Sequence, residues 1–137
     1  GGRARPYFEV LAASGVNTLR LPLEWLANPA LWLQRTATQY NPVQKSFIHN
    51  VLREANRVGI KVIIEPFNTF NYHDASRRDG QSYFNLTSFS SANGGPISSV
   101  KYFFRKQGTG AMNLPVLNMA VGRMATIMGW VAESPDG

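Results

Sequence analysis

Residues 41–66 read NPVQKSFIHNVLREANRVGIKVIIEP, and two different periods meet within them. Asn41-Pro42 supplies a helix N-cap followed by a first-turn proline, whose missing N–H costs nothing there. Val43, Phe47, Ile48, Val51, Leu52, Ala55 and Val58 then recur at spacings of three and four. That pattern makes one apolar helical stripe, and Gly59 closes it. From Ile60 to Pro66 the pattern switches to a run of Ile and Val, the composition of a buried parallel strand. A helix feeding straight into such a strand is one half of a βαβ unit.

The other half lies upstream. In NTLRLPL, residues 17–23, Leu19, Leu21 and Leu23 alternate with Thr18, Arg20 and Pro22. This is a period-2 strand, with the proline placed near its end because it cannot donate to a ladder. Residues 6–14, PYFEVLAAS, read as a short helix closed by Gly15. Downstream, residues 67–95 show no period and are rich in Asn, Ser, Gly and aromatics. A loop of that length in a compact domain usually serves function. A short helix is expected over 96–106 and another over 116–121, with Pro115 as a break, and residues 127–132 read as a third strand. Strands alternating with helices predict an α/β fold with a parallel sheet. No glycine-rich phosphate loop follows a strand, and Gly108-Thr109-Gly110 opens no strand-to-helix turn.

The 137 residues are one domain's worth of chain, and 44% of them are hydrophobic, as in globular proteins. No apolar stretch reaches the roughly 18–20 uninterrupted residues of a membrane span. There is no cysteine, which excludes disulfides and thiolate metal sites. The net charge of +6 is scattered, with no basic block longer than Arg77-Arg78, so nucleic acid is not the expected partner. Asn85-Leu86-Thr87 is a glycosylation sequon.

Two segments, GVNTLRLPLEW at 15–25 and GWVAESPDG at 129–137, together resemble the retaining glycoside hydrolases of the cellulase and mannanase superfamily. Gly15, Asn17, Arg20, Leu21 and Pro22 match that family's second-strand pattern; Trp130, Glu133 and, one position late, Pro135 match its fourth-strand signature, with Ala132 where the family has asparagine. The resemblance implies a partial (β/α)8 TIM barrel, about three strands of it, formed by residues 1–137 as a single domain. It also implies hydrolysis of a β-linked polysaccharide of the mannan or cellulose type, without a cofactor or a metal, and an extracellular setting. No residue corresponds to the family's nucleophile on its seventh strand. The expected partners are thus a polysaccharide or oligosaccharide, together with the rest of a barrel or another chain over the open sheet edge. The alternative is a non-catalytic carbohydrate-binding or structural subunit.

On this reading Glu133 is the acid/base at the mouth of a strand, and Arg20 supports the nucleophile from inside the barrel. Retaining hydrolysis requires a second carboxyl group roughly 5–5.5 Å away, and Glu65, ending the second strand, is the candidate. Trp25, Phe70, Tyr72, Tyr83, His73 and Trp130 are candidate sugar contacts, because flat rings suit the apolar faces of pyranoses. His49 and His73 lie on separate elements and do not suggest a metal site. Phe103 and Phe104 are assigned to the core.

Overall fold

In the computed structural model, residues 3–24, 28–68, 70–73 and 75–137 are described. The elements are α1 (Ala4–Ala13), β1 (Thr18–Pro22), α2 (Pro42–Val58), β2 (Lys61–Glu65) and α3 (Leu114–Glu133). Short 3-10 turns lie between them, four of them in the long connections. β1 and β2 pair in parallel, Thr18 opposite Lys61 through Pro22 opposite Glu65. With α2 between them they form the βαβ unit expected from the sequence.

α2 begins as its sequence dictates. The Asn41 side chain accepts from Val43 N at 3.1 Å, and its amide donates to Ala30 O at 2.8 Å. It ends on Gly59 in the left-handed region, φ 76°, with Ile60 N donating to Ala55 O at 2.9 Å. Its inner stripe of Ile48, Val51, Leu52 and Ala55 is buried. One side of that core holds Phe8 of α1 against Leu19 and Val62; the other holds Leu23, Leu21 and Ile64 against Ile127 and Trp130 of α3.

The opposite face of the sheet is bare. Arg20 and Ile63 point away from the helices, and Ile63 is 57% exposed. Among the described residues the sheet has only these two strands, so both of its edges are open.

Four expectations are corrected. Residues 127–132 are not a strand but the last turns of α3, so the described residues form a mixed α/β fold with three α-helices and two strands. The apolar run there fits either period, and the helical one wins because Val116, Met119, Ala120, Arg123, Ile127 and Trp130 form a single buried stripe. Pro115 does not break this helix; it sits in the first turn, where no hydrogen bond is lost. The helix expected over 96–106 is only a 3-10 turn at Val100–Tyr102, capped by Ser99. Phe103 joins the core, whereas Phe104 is 67% exposed.

α3 is long and apolar enough to cross a membrane by length and composition. Its inward stripe is packed into the core and carries Arg123, paired there with Glu24, while Leu114, Val121, Met124 and Met128 on its outer side are exposed.

The long connection from 67 to 113 builds a second core of its own. Phe84, Phe89 and Ile97 pack against Val116, Met119 and Ala120 in the first half of α3, with Phe67, Tyr72 and Phe103 around them. Its Ser and Asn residues make turns rather than disorder: Ser82, Ser90 and Ser99 each accept from the backbone N–H two residues on.

Candidate functional site

The carboxyl ends of β1 and β2 are where this molecule concentrates its buried polar groups. β1 runs through Leu23 into Glu24, whose φ of 62° lies in the left-handed region uncommon for residues other than glycine. Its carboxylate meets Arg123 of α3 in a two-pronged pair, Nη1 to Oε2 at 2.6 Å and Nη2 to Oε1 at 2.8 Å. The two side chains are 0% and 1% exposed. A charge removed from water this completely is tolerated only when paired and hydrogen-bonded.

Two more of the five N–H groups on Arg123 have acceptors. Arg123 Nε donates to Gln34 Oε1 at 2.9 Å and Nη1 to Pro66 O at 3.2 Å. The guanidinium also lies over Phe67 and Phe89, 4.9 and 5.0 Å from their ring centroids. Glu24 further accepts from Tyr72 Oη at 3.2 Å and Gln34 N at 3.3 Å, and its carbonyl accepts from Asn71 Nδ2 at 2.9 Å. Burial, chiefly, raises the Tyr72 phenol well above its ordinary value, so it stays a hydroxyl donor. The arrangement is a clasp joining β1, α3 and the segment after β2.

That segment carries a surface cluster. Asn71 and Tyr72 are tied inward to Glu24, and Phe70 and His73 on either side meet Tyr83 outside. The ring centroids lie 4.6 Å apart for Phe70–Tyr83, 5.8 Å for Phe70–His73 and 5.5 Å for His73–Tyr83. Phe70 is 43% exposed. His73 Nδ1 accepts from Ala75 N at 3.0 Å, which fixes the ring and leaves Nε2–H as a donor. Asn68 at the same end is buried, and its Nδ2 has no acceptor among the described residues.

The residues singled out from sequence fall in different places. Glu133 does not end a strand: it is the last residue of α3, partly exposed and ion-paired with Lys45. It lies ten residues past Arg123, about 15 Å along the helix axis, so the strand-mouth geometry expected for an acid/base is absent. Trp130 is buried in the core, edge-on to Tyr40, and not available to a sugar. Tyr72 is a core ring, packed against Phe67, Phe84, Phe89 and Phe103. Arg20 projects from the bare sheet face, 75% exposed, 3.5 Å from Glu65. Phe70, His73 and Tyr83 do come together. Trp25 lies outside the described residues.

Sequence reading missed Glu24 and Arg123. The available signal was Arg123 itself, a lone cation in the apolar run VLNMAVGRMATIMGWVA at 116–132, which demands a buried partner. No family model matches the chain, and no curated protein or solved structure shows significant similarity to it.

Proposed function

We propose that this chain is part of a carbohydrate-active α/β domain of the retaining glycoside hydrolase type, acting on a β-linked polysaccharide. The observation that carries the reading is the ring cluster of Phe70, His73 and Tyr83, presented beside the carboxyl ends of parallel strands. Active sites of α/β barrels gather at that end, and an exposed ring beside two half-buried ones, with a fixed N–H donor, suits a sugar's apolar face and its hydroxyls. Arg20 and Glu65, paired on the bare face of the sheet, supply a carboxylate at the end of β2. Glu24 cannot act as acid or base while Arg123 holds both its oxygens. A retaining reaction therefore needs a second carboxylate brought to this face by strands that extend the sheet.

A second reading, a non-catalytic carbohydrate-binding or structural subunit, is favoured by one observation: the open sheet with exposed Ile63 suits assembly with another chain.

The test is calorimetric titration of the full chain with β-1,4-linked manno- and cello-oligosaccharides. Phe70→Ala and Tyr83→Ala should each weaken binding about tenfold, equivalent to 1.4 kcal/mol. Binding unchanged in both variants would overturn the platform.

A further inference from the structure

α3 is apolar on its outer side as well as its inner one. Between Leu114 and Ala132 its only charged residue is Arg123, which is buried in the core. On the outer side Leu114, Leu117, Val121, Met124 and Met128 follow one another at spacings of three, four, three and four. That is the spacing of a helix-pairing seam. Leu117 is half-buried, and the other four are 48–69% exposed. A helix that is apolar all round is ordinarily buried all round.

Beside the seam runs an apolar groove of about 470 Å³, between Leu117, Val121 and Met124 of α3 and the segment carrying Val100, Phe103 and Phe104. Phe104 opens a hairpin, in which Asn113 N donates to Phe104 O at 2.9 Å and Lys106 N to Ala111 O at 2.7 Å. The exposed surface of Phe104 and the seam, with the hairpin as a rim, is on the order of the 800 Å² that each partner gives to a standard interface. Phe and Met are also enriched in such interfaces.

Charge at the two ends of the face indicates what covers it. Residues 97–113, before the start of α3, carry Lys101, Arg105 and Lys106 and no carboxylate. Residues 124–137, at the far end, carry Glu133 and Asp136 and no cation. Lys45 pairs with Glu133, and Asp136, hydrogen-bonded to the neutral Asn56, keeps that end negative. An acidic surface would attract one end of this face and repel the other. A second copy turned end for end matches both.

We propose that α3 pairs antiparallel with α3 of a second copy about a two-fold axis, setting Val121 against the partner's Met124 and Leu117 against the partner's Met128. Every contact then occurs twice. The partner's Met128 enters the groove between Leu117 and Phe104, a knob into a hole that a flexible methionine suits. Arg105 Nη1 donates to Gly110 O at 3.2 Å, which holds the guanidinium against the hairpin. In this register that hairpin lies beside the partner's Asp136. The pairing does not depend on the carbohydrate reading, and none of its residues belongs to the ring cluster.

The experiment is sedimentation velocity of the full chain over a concentration series. The parent should form a dimer. Val121→Glu should weaken it roughly thirtyfold or more, as the loss of a central contact. That variant should keep the parent's far-ultraviolet circular dichroism, because the position is exposed, and Met128→Glu repeats the test at a second exposed position. Arg105→Glu should weaken the dimer several-fold, and adding Asp136→Arg should restore most of that loss. Ile63→Lys, on the bare face of the sheet, should leave the dimer unchanged. A monomer at every concentration overturns the proposal, including one that binds phosphatidylglycerol vesicles instead. A dimer indifferent to both Val121→Glu and Met128→Glu, or one lost in Ile63→Lys, overturns the surface. Failure of Asp136→Arg to rescue Arg105→Glu overturns the antiparallel register.

Discussion

The βαβ half of this molecule and its aromatic half are held together by different means. From Ala4 to Glu65, regular elements bury aliphatic stripes at periods of two and three to four, and helix caps fix their ends. From Phe67 to Asn113 the described residues form no regular element beyond short 3-10 turns, and edge-on ring contacts of Phe67 with Tyr72, Phe89 and Phe103, and of Tyr72 with Phe89, do the packing. The two meet on α3, whose first half serves the rings and whose second half serves the sheet, with Arg123 between. Order therefore does not require periodicity: side-chain caps and aromatic shape can supply it.

The largest effect is expected where the halves join. Arg123→Ala leaves Glu24 charged and buried without its partner, and should cost about 3–5 kcal/mol in chemical denaturation. A loss below about 1 kcal/mol would mean that the clasp does not hold the halves together. Phe84→Ala, in the aromatic half, should cost about 3–5 kcal/mol as a core truncation. If the halves open separately, hydrogen exchange in that variant will accelerate at residues 84–103 while the amides of β1 and β2 stay protected. Uniform acceleration would make the molecule one cooperative unit and dissolve the contrast.

How much could be read in advance follows the same division. α2, β1 and β2 were legible because each buries one face, and burying one face writes a period into the sequence. The cap residues Asn41 and Gly59 fixed the ends of α2. α3 was misread in its second half because Ile127–Ala132 is short, apolar and compatible with both periods, and because Pro115 reads as a break unless it is placed in the first turn. Arg123 decides the matter once its need for a buried partner is weighed. The ring cluster of Phe70, His73 and Tyr83 was legible as a set of types but not as a site. Its assembly depends on Asn71 and Tyr72 reaching Glu24, 47 and 48 residues away. Contacts of that range leave no local pattern.

Smaller effects sharpen the account of the βαβ half. Asn41→Ala should cost about 0.5–2 kcal/mol through the lost cap of α2, read as a shift in denaturation midpoint. Glu54, buried on α2, accepts from Arg57 Nε at 2.9 Å and Arg5 Nε at 3.3 Å, tying α1 to α2. The Arg57 hydrogen bond, with Arg5 beside it, holds its carboxyl below the usual carboxylate range, against the effect of burial. That stabilisation is fully present above the ordinary glutamate pKa and is lost as pH falls through the lowered value. Glu54→Gln should therefore flatten the decline in melting temperature on acidification below about pH 4. An unchanged decline would remove Glu54 from the account. Smallest of all, Glu133→Gln should cost less than about 1 kcal/mol, as the loss of a surface ion pair.

The most direct test of the central claim, that ligand is taken at the carboxyl ends of the two strands, is to map backbone amide shifts while the full chain is titrated with a β-1,4-linked hexasaccharide. Perturbations concentrated at residues 65–83, with the starts of β1 and β2 and the last turns of α3 unmoved, are the predicted result. Perturbations centred on Glu133 and Lys45, or none at saturating sugar, would contradict it.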